Sequence, residues 1–141
     1  MFSESSSSAF IQSGPISNKW SEITLLQVRS RNALYTGIRH GRKFLIKAIK
    51  PVYGDAVTSP YATQSKVLHE KEFRLGILLN HPHIMSTYSL EEVEDLGLCI
   101  VAEWIEGVTL GKWLLTKPSL AARRRVLMQI LDALAYIHSL Q

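Results

Sequence analysis

Phe44-Leu45-Ile46-Lys47-Ala48-Ile49 is an apolar run with an ammonium in its middle. Such a run, closed by Pro51, reads as a strand. Pro51 ends it because proline has no N–H to give to a ladder. A lysine inside an apolar strand is costly to bury without a partner. The following amphipathic segment offers one. Between about residues 62 and 80, Leu68, Leu75 and Leu79 recur at i, i+7 and i+11, one face of a 3.6-residue period. Glu72 falls on that same stripe. Taken singly, Lys47 also fits an edge strand open to water, and Glu72 fits a helix turned to put it at the rim. Taken together, in this order of elements, they predict an ion pair that fixes an ammonium in a cleft, where it can face an anion such as phosphate.

Working outward, residues 23–28 and 33–38 read as two earlier strands. The turn Arg39-His40-Gly41-Arg42 leads into the lysine strand, with Gly41 supplying positive φ. Pro82 stops the helix. Residues 85–92 and 96–103 read as two further strands joined around Glu94-Asp95-Leu96-Gly97. Glu106-Gly107 breaks the pattern, a short helix covers about 109–115, and Ser119 caps a last helix that runs to about 139. Val126, Ile130, Ala133 and Ile137 share the apolar face of that helix. No βαβ crossover is present in this order. The expected fold class is α+β: a five-stranded antiparallel sheet with one packed helix, followed by two helices. The expected division is a flexible Ser-rich tail over 1–18, a sheet-and-helix domain over 19–106, and helices over 107–141.

A chain of 141 residues with 46% apolar and 20% charged residues suits one compact domain. Its single cysteine, Cys99, excludes an internal disulfide and lies in an apolar run, so a buried inert thiol in a reducing, cytoplasmic setting is expected. Glu4 and the serines Ser5 to Ser8 do not resemble a secretory leader. No run reaches the ~18 apolar residues of a membrane span. The net charge of +4 leans only weakly toward anionic partners. His81 and His83 read as turn residues, since two ligands do not make a metal site. Arg123-Arg124-Arg125 reads as a solvated helix start, and with no aromatic residues interleaved no nucleic-acid partner is expected. A small basic nucleic-acid-binding domain stands as the remaining competitor, to be recognised by a steep salt dependence.

Phe44-Leu45-Ile46-Lys47 resembles the third-strand V-A-I-K segment of protein kinases. Glu72 then stands where that family has its central-helix glutamate, nine residues before the H-P of Asn80-His81-Pro82-His83-Ile84, which is similar to H-P-N-I. Ile100-Val101-Ala102-Glu103-Trp104-Ile105-Glu106-Gly107-Val108-Thr109-Leu110 resembles the linker between kinase lobes. Ile130-Leu131-Asp132-Ala133-Leu134-Ala135-Tyr136-Ile137-His138-Ser139 is similar to the helix that leads into the catalytic loop. The resemblance spans about residues 20 to 141. The stretch from Tyr35 to Tyr53 is most similar to kinase-like proteins of Bacteroides-type bacteria.

The resemblance implies the ATP-binding lobe of a Ser/Thr kinase-like transferase. Lys47 would meet the α- and β-phosphates, oriented by Glu72. Val28, Leu34 and Leu45 would cover the base, the Glu103 carbonyl and the Ile105 backbone would meet its edge, and Ala102 would leave the pocket deep. Lys50 competes with Lys47 for the key position, but it borders Pro51 and would more easily reach water.

Two departures stand out. Where the family has glycines in its phosphate loop, this chain has Gln27, Arg29 and Asn32. Glycine lets backbone amides approach phosphate, so a plain hairpin is an equal reading there. The three aspartates, Asp55, Asp95 and Asp132, match neither the catalytic nor the magnesium-binding positions. The chain alone is therefore expected to be inactive, binding magnesium only if a C-terminal lobe is supplied. The alternative is a pseudokinase-like binding or regulatory module. With that lobe missing, the stripe of the last helix would lie open, so self-association or a protein partner through residues 119–141 is expected.

Overall fold

A computed structural model describes residues 19–49 and 60–140, with residues 60–62 described in backbone only. The expected tail over 1–18, Lys50 and the loop that follows it lie outside the described residues. The elements are β1 (Ser21–Val28), β2 (Asn32–Arg39), β3 (Arg42–Ile49), α1 (Pro60–Leu78), β4 (Thr87–Val93), β5 (Gly97–Glu103), α2 (Leu110–Leu115) and α3 (Leu120–Ser139). The described strands form one five-stranded sheet in the order β1-β2-β3-β5-β4, with every neighbouring pair antiparallel. The fold is thus the expected α+β arrangement. Tight turns make the antiparallel order cheap. His40 and Gly41 both have positive φ, as a two-residue hairpin between β2 and β3 requires.

Opposed residues in an antiparallel ladder share a face of the sheet. One face carries the rows Leu34–Lys47–Ile100–Leu90 and Thr36–Leu45–Ala102–Thr87. The other carries Ala33–Ala48–Cys99–Glu91 and Tyr35–Ile46–Val101–Ser89. The best-buried cluster lies on this second, outer face: Ile46, Ala48, Val93 and Cys99, covered by Trp20, Tyr35 and Leu96. Cys99 is fully buried there, and burial, with Glu92 and Glu91 adding to it, pushes its thiol up to about 12. It is the inert core thiol expected. Glu91 fastens the cover. It accepts from Trp20 Nε1 at 3.1 Å and Ser89 Oγ at 2.6 Å and pairs with Arg39 at 2.6 Å. Arg39 also stacks 4.1 Å from the Trp20 ring centroid. Burial works against the Glu91 charge, but the bonds from Ser89, Arg39 and Trp20 outweigh it and hold the carboxyl below its usual range.

Helix α1 crosses the first face, against β3, β4 and β5. It does not pack through the expected leucine stripe, because Leu68 and Leu75 are exposed. The packed side runs through Ser65, His69, Phe73 and Gly76 instead. The reason is steric. A Cβ on Gly76 would collide with Thr87, whose own Cβ would lie 3.0 Å away. The missing side chain lets the helix settle close to β4, and that docking sets its rotation.

Helix α3 starts at the expected cap, with Ser119 Oγ accepting from Ala122 N at 3.1 Å. It docks on the segment between α1 and β4. Tyr136 Oη accepts from Asn80 N at 3.0 Å, and His81 Nε2 meets Asp132 Oδ2 at 3.1 Å. His83 N donates to His81 Nδ1 at 3.1 Å, so Nε2 carries the hydrogen toward Asp132. The expected stripe is therefore covered only in part: Ala133 is buried and Val126 half-buried, whereas Ile130 and Ile137 are exposed, as are Leu120, Leu127, Met128, Leu131 and Leu134. Among the described residues, no helix is long and apolar enough to cross a membrane.

Two stability measurements check this packing. Gly76→Ala should lower the unfolding free energy by about 1–3 kcal/mol despite its better helix propensity. The loss should shrink in a Thr87→Ala background, and a stabilised single variant would contradict the close approach. Tyr136→Phe, which leaves the Asn80 amide without its acceptor, should cost about 1 kcal/mol in urea unfolding.

Candidate functional site

The geometry around Lys47 begins with strand parity. Position 47 puts its side chain on the face that α1 crosses, and Glu72 stands on α1 where the helix passes β3. Lys47 Nζ lies 2.5 Å from Glu72 Oε1 and 2.7 Å from Oε2. The expected pair is formed, but not deep inside. The Lys47 side chain is 21% exposed and that of Glu72 53%. The pair sits at the rim of a cleft, and its net contribution to stability is correspondingly small. An ammonium has three N–H donors. Glu72 takes two of them, which leaves one for an anion arriving from solvent.

The other expected residues divide by face. Leu34 and Lys47 are direct partners, and Leu45 pairs with Ala102 one row along. These four therefore line one surface, with Leu34 and Leu45 half-buried and Ala102 buried. Val28 does not join them. The ladder between β1 and β2 slips between Leu25 and Gln27, so Val28 is set opposite Ala33, in the outer row. Glu103 lies in the outer row opposite Phe44, and its carboxylate accepts from Ser86 N at 3.0 Å. Its side chain is thus committed away from the cleft. Ile105 follows in the exposed connection to α2.

The glycine-free loop is short and closed on itself. Arg29 N donates to Asn32 O at 2.8 Å, and the Arg29 guanidinium donates to Gln27 Oε1 at 3.3 and 3.4 Å. Asn32 Oδ1 is buried without a hydrogen-bond partner. Asn32 helps to line a cavity of about 170 Å³ with Arg31, Ile49, Leu68, His69 and Glu72. This small cavity adjoins the ion pair. A larger one of about 940 Å³ runs along α3 past Leu120, Arg124, Arg125 and Met128, away from Lys47.

Sequence reasoning missed two members of this face. Thr36 is buried in the row of Leu45 and Ala102. His69 is only 5% exposed, and its Nε2 lies 3.0 Å from the Lys47 carbonyl oxygen. The available signal was the spacing of Ser65, His69, Phe73 and Gly76, a second helical stripe beside the leucine one. Among the described residues, no three His, Cys, Asp or Glu side chains converge on a point that could hold a metal ion.

Comparison with solved structures places this architecture. The chain is similar to the structure of Rad53 residues 1–466 in complex with AMP-PNP, at a TM-score of 0.60 and 21% identity, over 84% of this chain and 30% of that one. It is also similar to the M. tuberculosis PknI kinase domain, at a TM-score of 0.58 and 16% identity, over 86% of this chain and 49% of that one. It therefore spans no more than about half the length of either. No family model and no curated protein matches the sequence. At these identities the shared property is the fold: the five-stranded sheet, crossing helix and following helices are those of a protein kinase N-terminal lobe with the first helices beyond it.

Proposed function

We propose that this chain is the ATP-binding lobe of a Ser/Thr protein kinase-like protein. The observation that carries the reading is the bidentate contact of Glu72 with the Lys47 ammonium beside the surface of Leu34, Leu45 and Ala102. An apolar surface next to a fixed, partly solvated cation suits a flat base joined to phosphates. Lys47 meets the α- and β-phosphates through its remaining N–H, and Glu72 orients it. The Glu103 carbonyl and Ile105 backbone meet the adenine edge, and Ala102 leaves room behind it. The presence of AMP-PNP in the similar Rad53 structure supports an adenine nucleotide as the ligand. Gln27, Arg29 and Asn32 replace the glycine arch, so phosphate contact from that side falls to side chains. The single buried thiol fits a reducing, cytoplasmic setting.

Phosphoryl transfer needs groups that these residues do not supply. Asp95 sits in the β4–β5 turn with a φ of 65°, and Asp132 is engaged by His81. Asp55 lies outside the described residues. The described residues therefore do not fit a magnesium ion on their own, which supports reading the chain by itself as inactive in phosphoryl transfer.

A second reading, a pseudokinase-like binding module, draws support from the self-bonded Gln27–Arg29 turn and from the exposed leucines of α2 and α3. In that reading residues 119–141 receive a protein partner or a second copy of the chain.

Thermal unfolding separates the two. ATP at about 100 times its dissociation constant adds about 2.7 kcal/mol of stability, a rise of several degrees for a domain of this size. Lys47→Ala should abolish that rise while keeping the far-ultraviolet circular dichroism of the parent. Neither protein should transfer phosphate to a peptide hydroxyl. A midpoint that ignores millimolar ATP in the parent would sink the nucleotide reading and leave the binding module.

A further inference from the structure

Helix α3 is charged against its own dipole. The N-terminal end of a helix is its positive end, where carboxylates stabilise and cations do the reverse. Yet the first turn of α3 holds no acidic residue, and Arg123, Arg124 and Arg125 stand within its first two turns. Ser119 caps the amide of Ala122, which satisfies a donor but brings no negative charge. Arg123 donates through Nε to the Pro118 carbonyl at 2.9 Å. Among the described residues, neither Arg124 nor Arg125 has an ion pair or a side-chain hydrogen bond. Choices that work against the element they sit in concentrate at functional positions.

The two arginines border the cavity of about 940 Å³ along α3. Leu120 and Met128, 80% and 60% exposed, supply apolar wall, and Asp132 and His83 stand at its far end. Asp132 is the only carboxylate on the described walls, and His81 already engages it. From Leu120 to Asp132 the groove follows roughly 18 Å of helix. Met128 and Asp132 stand one position beyond Leu127 and Leu131, about 100° further round the helix. The groove is thus the flank of α3 turned toward the α1–β4 connection, distinct from the side that carries Leu127 and Leu131. Among the described residues its walls are α3 and His83 alone, so it is open along its length. Sites for small molecules enclose most of the ligand. An open trough instead suits a segment that lies along it.

We propose that this groove docks an acidic amphipathic helix of a partner protein, its apolar side chains on Leu120 and Met128 and its carboxylates at Arg124 and Arg125. The inference rests on the second reading above, in which residues 119–141 receive a partner, and names that partner's chemistry. A second copy pairing through its own α3 brings three more arginines and, from that helix, only the carboxylate of Asp132. A nucleic acid satisfies the arginines and leaves Leu120 and Met128 without apolar contact. A bilayer surface meets a protruding helix face rather than a trough.

The test uses the whole 141-residue chain. The probes are synthetic helical peptides of about 15 residues, with leucine on one face and glutamate beside it. Fluorescence anisotropy should show saturable micromolar binding that weakens as salt is raised. A peptide with lysine for glutamate, and a scrambled peptide of the same composition, should bind at least about tenfold more weakly. The double variant Arg124→Glu, Arg125→Glu should prefer the lysine peptide. Its unfolding midpoint should not fall, since carboxylates suit that end of the helix, so the switch is not a folding defect. Met128→Ser, at an exposed position, should weaken the glutamate peptide and leave the circular dichroism unchanged. The inference is overturned if the glutamate and lysine peptides bind alike, or if the double variant keeps the preference of the parent. Tighter binding to phosphatidylserine vesicles or to RNA than to the glutamate peptide overturns it too. If no peptide binds but the chain sediments as a dimer that Leu131→Asp abolishes, the occupant is a second copy: the inference fails and the second reading survives. A monomer that binds no peptide ends both.

Discussion

The arrangement depends on how one helix is held to one residue of one strand. Lys47 is gripped through its ammonium by Glu72 and through its carbonyl by His69. Neither contact is strong in isolation. The ion pair is half in water, where such pairs contribute little to stability, and a single hydrogen bond adds about 1 kcal/mol. Their value is geometric. Together with the close approach of Gly76 to Thr87, they fix both the distance and the rotation of α1 over the sheet. A cation aimed into a cleft needs such a fixed frame, since the rotamer freedom of a lysine would otherwise have to be lost when an anion arrives.

Stability and function occupy opposite faces of the same strands. The outer face holds the tightest cluster, closed by Trp20, Arg39 and Glu91. Alternation along β3 sends Ile46 and Ala48 to that cluster and Leu45 and Lys47 to the cleft. A sheet stabilised from its outer side can leave residues of its inner side only partly covered. Leu34 and Leu45, half-buried beside Lys47, are an instance. The same division explains the inert Cys99, which points away from the cleft.

The last two helices have a different character. α3 is tied to the α1–β4 connection by Tyr136 and Asp132. Among the described residues, its apolar side chains Leu127, Ile130, Leu131, Leu134 and Ile137 stay exposed. The similar kinase structures extend well beyond the part that this chain matches.

Local pattern alone determined the elements, their order and the Lys47–Glu72 contact. Alternation, helical period, turn glycines and Pro82 act over a few residues, and a charge in an apolar strand announces its need for a partner. Three things were decided only by the packed molecule. α1 turned toward Gly76 rather than its leucines because contact with Thr87, eleven residues on, outweighed the larger apolar stripe. Val28 left the cleft because a slip in the β1–β2 ladder moved it into the outer row, and one residue of register reverses a side chain's face. His69 became a clamp on Lys47 because the helix rotation brought it over that carbonyl. Each is a matter of how two surfaces meet at long range, and periodicity within one segment carries no information about the partner it will meet.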